Sequence, residues 1–210
     1  MQNGTDTSDT LSELGFAYQN LREFDVALLY HLRALNLRQN CDNVNSKLVA
    51  TSLLGLANVY WGQDDLSQAL IYAHEALTLN RSVGDGNDLQ IAANLAVLAN
   101  IYHNSNDNTR ALDCAKQALV IFERCSSADS ISLVTLLNNI GTIQIGGGMF
   151  DDALITFIRL LHIYKRILPK GHPIRSTIEN NIQRISETYE LNAMNSFRRL
   201  TTFLTHSILF

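Results

Sequence analysis

Along this chain apolar residues recur three and four positions apart, the period of an amphipathic helix, and polar clusters cut the pattern into paired segments. "LLGLANVY" places Leu56, Ala57 and Tyr60 on one helical face, and "DLSQALIYAHEAL" does the same for Ala69, Leu70, Ala73, Ala76 and Leu77. A short polar turn separates the two, which predicts an αα-hairpin. The hairpin returns every 42 residues. That step links Gly15, Ala57, Ala99 and Gly141, then Leu14, Leu56, Leu98 and Ile140, then Tyr18, Tyr60, Tyr102 and Gln144. In the second helix it links Ala27, Ala69, Ala111 and Ala153, and again Ala34, Ala76, Ala118 and Leu160. So many coincident rows exclude chance.

The rows of Gly and Ala let two backbones approach closely, and the tyrosines and leucines beside them fill the remaining groove. One hairpin cannot bury both of its apolar faces, so the next must stack on it. The expected fold is all-α, an α-α superhelix of antiparallel hairpins. Its repeats are expected at about 8–38, 50–80, 92–122 and 134–164, after a flexible N-terminus at 1–7. A fifth unit begins, since "TIENNIQRIS" aligns with "TLLNNIGTIQ", but Gln183 replaces the small residue and the alanine rows lapse at Asn195 and Thr202. Residues 174–190 therefore read as a capping helix. The segment 191–210 reads as a degenerate second cap helix or tail, too short to span a bilayer.

The four units run "LGFAYQNLREFDVALLYHLRAL", "LANVYWGQDDLSQALIYAHEAL", "LANIYHNSNDNTRALDCAKQAL" and "IGTIQIGGGMFDDALITFIRLL". They resemble the tetratricopeptide repeat (TPR), whose usual period is about 34 residues. The additional residues lie in Asn-, Asp-, Ser- and Gly-rich connectors. With the paired asparagines of "LLNNIG" and "IENNIQ" and a "GHP" connector, the longer unit is similar to the kinesin-light-chain class of these repeats. The resemblance covers about residues 8–190 and implies a helical solenoid that binds protein.

Composition narrows the chemistry. Net charge is −4, yet residues 1–158 hold 8 Lys/Arg against 17 Asp/Glu, whereas 159–210 hold 8 against 3. A mostly acidic chain without a basic aromatic stripe argues against a nucleic-acid partner. Cys41, Cys114 and Cys125 are odd in number and show no ligand spacing, so they read as reduced thiols in a cytoplasmic protein. Neither a metal nor a cofactor is expected from the six scattered histidines. Gly146, Gly147 and Gly148 outline a phosphate loop, but Met149 and Phe150 stand where Lys and Ser/Thr would be needed, and the 42-residue register makes the glycines an inter-helix turn. No catalytic set stands out, and the chain is not expected to be an enzyme.

The resemblance places a peptide site on the concave surface lined by first helices. Carried onto this sequence, it names Phe16, Gln19, Leu54, Asn58, Trp61, Asn100, His103, Asn138, Thr142 and Ile145. No Lys or Arg occupies these rows in the four repeats, so a clamp for a partner's C-terminal carboxylate is not expected. The expected function is a non-catalytic interaction scaffold or adaptor. The alternative is a repeat region that regulates or targets a catalytic domain encoded elsewhere, and the apolar tail raises self-association through the C-terminus. If the register is right, Ala69→Leu or Ala111→Leu overpacks the hairpin and lowers stability by about 1–3 kcal/mol. Chemical denaturation of either variant checks this, and an unchanged midpoint contradicts the register.

Overall fold

A computed structural model describes residues 2–41, 43–84, 88–125 and 131–189, and among these every regular element is an α-helix. They are α1 (Gln2–Asn20), α2 (Phe24–Gln39), α3 (Ser46–Gly62), α4 (Leu66–Ser82), α5 (Asp88–Asn104), α6 (Asn108–Cys125), α7 (Ile131–Gly146), α8 (Phe150–Ile167) and α9 (173–189). The chain divides into two compact units, Met1–Ser126 and Ser127–Phe210. In the first, α1 pairs with α2, α3 with α4 and α5 with α6, while α2 packs on α3 and α4 on α5 to stack the hairpins. The second holds the α7–α8 hairpin and α9. The helix α1 takes in residues 2–7, ahead of the boundary expected at residue 8. The expected tail at 191–210 lies outside the described residues.

One turn is used four times. Arg22, Asp64, Asn106 and Gly148, spaced by the repeat, hold φ of 63°, 64°, 59° and 74°. This left-handed residue lets the next N–H reach back to the end of the first helix: Glu23 donates to the Tyr18 carbonyl, Asp65 to Tyr60, Asp107 to Tyr102 and Met149 to Gln144, at 2.8–3.0 Å. The closure is a Schellman motif, which satisfies carbonyls that a helix end would leave open. Gly148 enters the conformation without the Cβ clash that the other three bear. Two of the second helices, α4 and α6, then start on a side-chain acceptor, whereas Glu23 and Met149 cap α2 and α8 without one. Asp65 accepts from the Gln68 N–H and Asp107 from the Arg110 N–H, both at 3.0 Å.

Between the helices of a hairpin, packing follows fixed sequence offsets. Ala27, Ala69, Ala111 and Ala153 are all 0% exposed, as are Ala34, Ala76 and Ala118 with Leu160 in the same row. Positions sixteen apart compensate in volume. A Cβ on Gly15 would stand 2.7 Å from the His31 ring, and one on Gly141 would stand 2.5 Å from the Phe157 ring. Where the first-helix residue is instead Ala57 or Ala99, its partner shrinks to Ala73 or Ala115, all fully buried. Positions twelve apart form a second pair: Tyr18 stacks on Tyr30 and Tyr60 on Tyr72, both at 5.4 Å between centroids. In the fourth hairpin the same offset becomes a hydrogen bond, Thr156 Oγ1 donating to Gln144 Oε1 at 2.8 Å. The departure at Gln144 is therefore matched across the hairpin.

Successive hairpins of the first unit are joined at an offset of fourteen. Arg38, buried in α2, donates from Nη1 to Ser52 Oγ at 2.7 Å and to the Leu48 carbonyl at 2.9 Å, and from Nη2 to Asp9 at 2.7 Å. One repeat on, the buried amides of Asn80 and Asn94 meet at 3.2 Å. Around these polar contacts lies the apolar seam of Leu35, Val49, Leu53, Leu56 and Ala76.

His31 is fully buried between Gly15, Gly55 and the edge of the Phe16 ring, with neither ring nitrogen hydrogen-bonded. Burial, reinforced by the charge of Arg38, lowers its pKa to about 4. The unfolded chain, with an ordinary imidazole near 6.5, therefore binds the extra proton over the window between the two values. Stability contributed by neutral His31 is complete above pH 6.5 and falls as pH drops toward 4, by about 3 kcal/mol at most. His31→Phe, which copies the Gly141–Phe157 pair, is expected to flatten this part of the pH–stability curve; a curve as steep as that of the parent refutes the assignment. Separately, Gly15→Ala should destabilise by about 1–3 kcal/mol through overpacking. Adding His31→Ala should recover part of that loss by recreating the Ala57–Ala73 pair, and additive effects in a double-mutant cycle would contradict the coupling.

Candidate functional site

The exposed sides of the first helices carry the residues expected to bind, and the structure gathers six of the ten into two cavities. In the first unit Gln19 from α1 and Asn58 and Trp61 from α3 line a cavity of about 380 Å³, together with Arg22, Phe24, Gly62, Asp64 and Asn104. In the second unit Asn138, Thr142 and Ile145 from α7 line one of about 350 Å³, with Phe150, Phe157, Asn181, Arg184, Ile185 and Thr188.

The two cavities are the same place in the repeat. Gln19, Phe24, Asn58 and Gly62 of the first stand three repeats before Ile145, Phe150, Arg184 and Thr188 of the second. Each opens between a hairpin and the first helix of the following repeat, beside the turn. In the first cavity the missing side chain of Gly62 makes room for the Phe24 ring, 2.4 Å from where a Cβ would stand.

The other four expected residues are placed differently. Phe16 packs its ring edge-on against His31 at 4.8 Å. Leu54 is half-buried against the apolar seam between the first two hairpins. His103 Nδ1 lies 2.8 Å from Asn108 Oδ1 at the start of α6. Asn100 is half-buried and already engaged by neighbouring groups. These four hold the first-helix face together beside the cavities.

Several lining residues were missed by the sequence reading, and the register could have found one of them, Arg184. The step of 42 from Thr142 reaches Arg184 on α9, so the row that carries no cation in the four repeats gains one in the fifth. The expectation of a wholly neutral groove therefore stops at α8. Among the described residues Arg184 pairs with no carboxylate. Phe24 and Phe150 share a row that the helical periodicity assigns to a helix start, where an aromatic side chain gives no warning that it walls a cavity.

Two of the residues that line the first cavity each keep one polar atom turned away from water and unpartnered, Gln19 Oε1 and Trp61 Nε1. Charges at its mouth balance, Arg22 on one turn and Asp64 on the next. Away from the cavities, His74 Nε2 meets the Tyr102 hydroxyl at 2.9 Å, and Arg110 lies over the Tyr102 ring at 4.7 Å. Burial and the nearby charges of Arg110 and Arg81 lower the His74 pKa. Among the described residues no group of three or more His, Cys, Asp or Glu side chains is placed to hold a metal ion. Nor is any described helix long and apolar enough to cross a membrane.

Fold and residues together define a helical-repeat solenoid with cavities recurring on one side of its first helices. A family model of the tetratricopeptide repeat matches residues 6–82 and 48–124, more than half of the sequence, and the chain belongs to that family. No curated protein is significantly similar in sequence. Among solved structures, BtubC (BKLC) from P. vanneervenii is 20% identical, with a TM-score of 0.76 over 89% of this chain and 74% of that one. A putative kinesin light chain from Podospora anserina with nearly identical TPR-like repeats is 14% identical, with a TM-score of 0.75 over 92% of each chain. Aspartyl phosphate phosphatase F from Bacillus subtilis, also 14% identical, aligns with a TM-score of 0.67 over 91% of this chain but 50% of its own. The fold is thus that of kinesin-light-chain-like TPR solenoids, a protein-interaction scaffold.

Proposed function

We propose that this chain is a non-catalytic adaptor that holds a peptide or partner segment along the exposed side of its first helices. The observation that carries the reading is the recurrence of one cavity at one register in both units, lined by amides, an aromatic wall and few charges. Asparagine and glutamine amides offer both donors and acceptors to an extended backbone, and Trp61 offers an apolar anchor. The repeats supply such positions at regular intervals, which suits a partner that is itself extended.

Selection of peptides from a displayed library against the full chain tests this. Binders are expected to lose at least about tenfold in affinity when Asn58→Ala is combined with Trp61→Ala, as for a central anchor. Ile71→Ser, on the exposed side of α4, should leave affinity unchanged. Binders indifferent to the first pair and sensitive to the second would move the interaction to the opposite face.

A further inference from the structure

We propose that the uncovered stacking face of α1 receives the C-terminal segment 191–210 of a second copy, so that the chain associates head to tail. The face is defined by rows that recur on every first helix of the first unit. On α3 they hold Val49, Ser52, Leu56 and Val59, which are no more than 5% exposed with α2 packed on that helix, and then Gln63 in the turn. On α5, with α4 packed on it, Asn94, Leu98 and Ile101 of the same rows are buried. On α1 the rows hold Thr7, Thr10, Leu14, Ala17 and Leu21, and all five are exposed, Leu14 by 38% and Leu21 by 70%. No helix precedes α1 among the described residues. Steps of three and four place the five on one stripe, and the Leu21 N–H, donating to the Ala17 carbonyl at 3.1 Å, carries it past the end of the helix. Leu21 is the apolar exception in a turn row otherwise made of Gln63, Ser105 and Gly147. The stripe lies on a different side of α1 from Phe16 and Gln19, so the inference does not depend on the peptide reading.

The sequence supplies an occupant of matching chemistry. In 191–210 Phe197, Leu200, Phe203, Leu204 and Ile208 recur at helical spacing, and their own repeat offers them no slot. The offset of sixteen, which elsewhere pairs Gly with a ring or Ala with Ala, here pairs Gln183 with Arg199, and the alanine rows hold Asn195 and Thr202. Two long polar side chains do not fit a gap of that size. Charge selects the partner surface. Residues 1–21 carry Asp6, Asp9 and Glu13 with no Lys or Arg, whereas 191–210 carry Arg198 and Arg199 with no Asp or Glu. Asp9 remains 51% exposed while paired with Arg38, and Glu13 is exposed beside the stripe. Unlike surfaces therefore attract and like surfaces repel. Within the first unit α1 packs on α2 and α3 alone, so its stripe lies at the end away from α6, where the chain leaves the unit. A contact between two different surfaces leaves one of each unused in every pair, so it propagates instead of closing as a dimer.

Light scattering of the full chain over a range of concentrations tests this, with two variants that each disable one side of the contact. The face variant combines Ala17→Lys with Leu21→Lys, and the tail variant combines Leu200→Ser with Leu204→Ser. The mean mass of the parent is expected to rise with concentration beyond that of a dimer, and to fall back as salt screens the opposed charges. Each variant alone is expected to stay at the monomer mass. An equal mixture should reach twice the monomer mass and no more, because each pair retains one intact face and one intact tail. Ala17 and Leu21 are exposed, so the face variant should melt as the parent does. If it melts early, Leu21→Ser takes its place, with association expected to weaken by about fivefold or more, as for a central apolar contact. A parent that is monomeric throughout or stops at a dimer would overturn the proposal, as would either variant associating like the parent. A mixture that stays monomeric would also overturn it, since the tail would then be meeting another tail or its own chain.

Discussion

The distance between the two helices of a hairpin is the constraint from which the rest of this structure follows. It is held by rows of alanine with no exposed surface and by pairs sixteen residues apart whose volumes trade against each other. A hairpin can keep Ala opposite Ala, as at Ala57 and Ala73, or Gly opposite a ring, as at Gly141 and Phe157, and preserve a similar separation. Close packing leaves little room for any third combination. Because the spacing is kept, the left-handed turn can recur with closing hydrogen bonds of 2.8–3.0 Å at Arg22, Asp64, Asn106 and Gly148, whatever residue stands there. The cavities sit beside these turns, so their recurrence is a consequence of the same spacing.

Within the first unit, the order of the repeats is written in polar contacts. Arg38 with Ser52 and Asn80 with Asn94 occupy the same offset with different polar groups. Such groups add less net stability than apolar packing of the same volume, but they penalise a misaligned or exchanged neighbour. In a chain of near-identical units, where stacking in the wrong register would otherwise cost little, that penalty has value. His31 is a different case. It fills its slot without a hydrogen bond, and its neutrality at ordinary pH is what makes the slot tolerable.

The two cavities show how a repeat protein can diversify without changing its fold. Their backbone positions are equivalent, and their aromatic walls, Phe24 and Phe150, are the same residue. At the shared positions three side chains differ: Gln19 against Ile145, Asn58 against Arg184, Gly62 against Thr188. One recess sets Arg22 and Asp64 among amides, while the other sets Arg184 beside Ile145, Phe150 and Phe157. Helices fixed by the hairpin spacing present these substitutions at constant geometry, so chemistry can vary while shape is kept.

Helical period and the 42-residue step determined by themselves that this chain folds as stacked αα-hairpins, because both depend on spacing along one chain and on local turn geometry. They also assigned Gly146, Gly147 and Gly148 to an inter-helix turn, of which the structure keeps Gly147 and Gly148 while Gly146 closes α7, and directed attention to Asn58, Trp61, Asn138 and Thr142. Only the tertiary structure decided which members of a row meet a cavity and which are spent on packing. Phe16 and Leu54 share helical faces with cavity-lining positions, yet His31 and the seam around Leu53 claim them. Arg184 and Phe24 join the recesses from elements whose own periodicity says nothing of a ligand. The physical reason is that a row fixes direction, whereas burial and hydrogen-bond satisfaction depend on the neighbour across the gap, and that neighbour lies twelve to forty residues away in sequence.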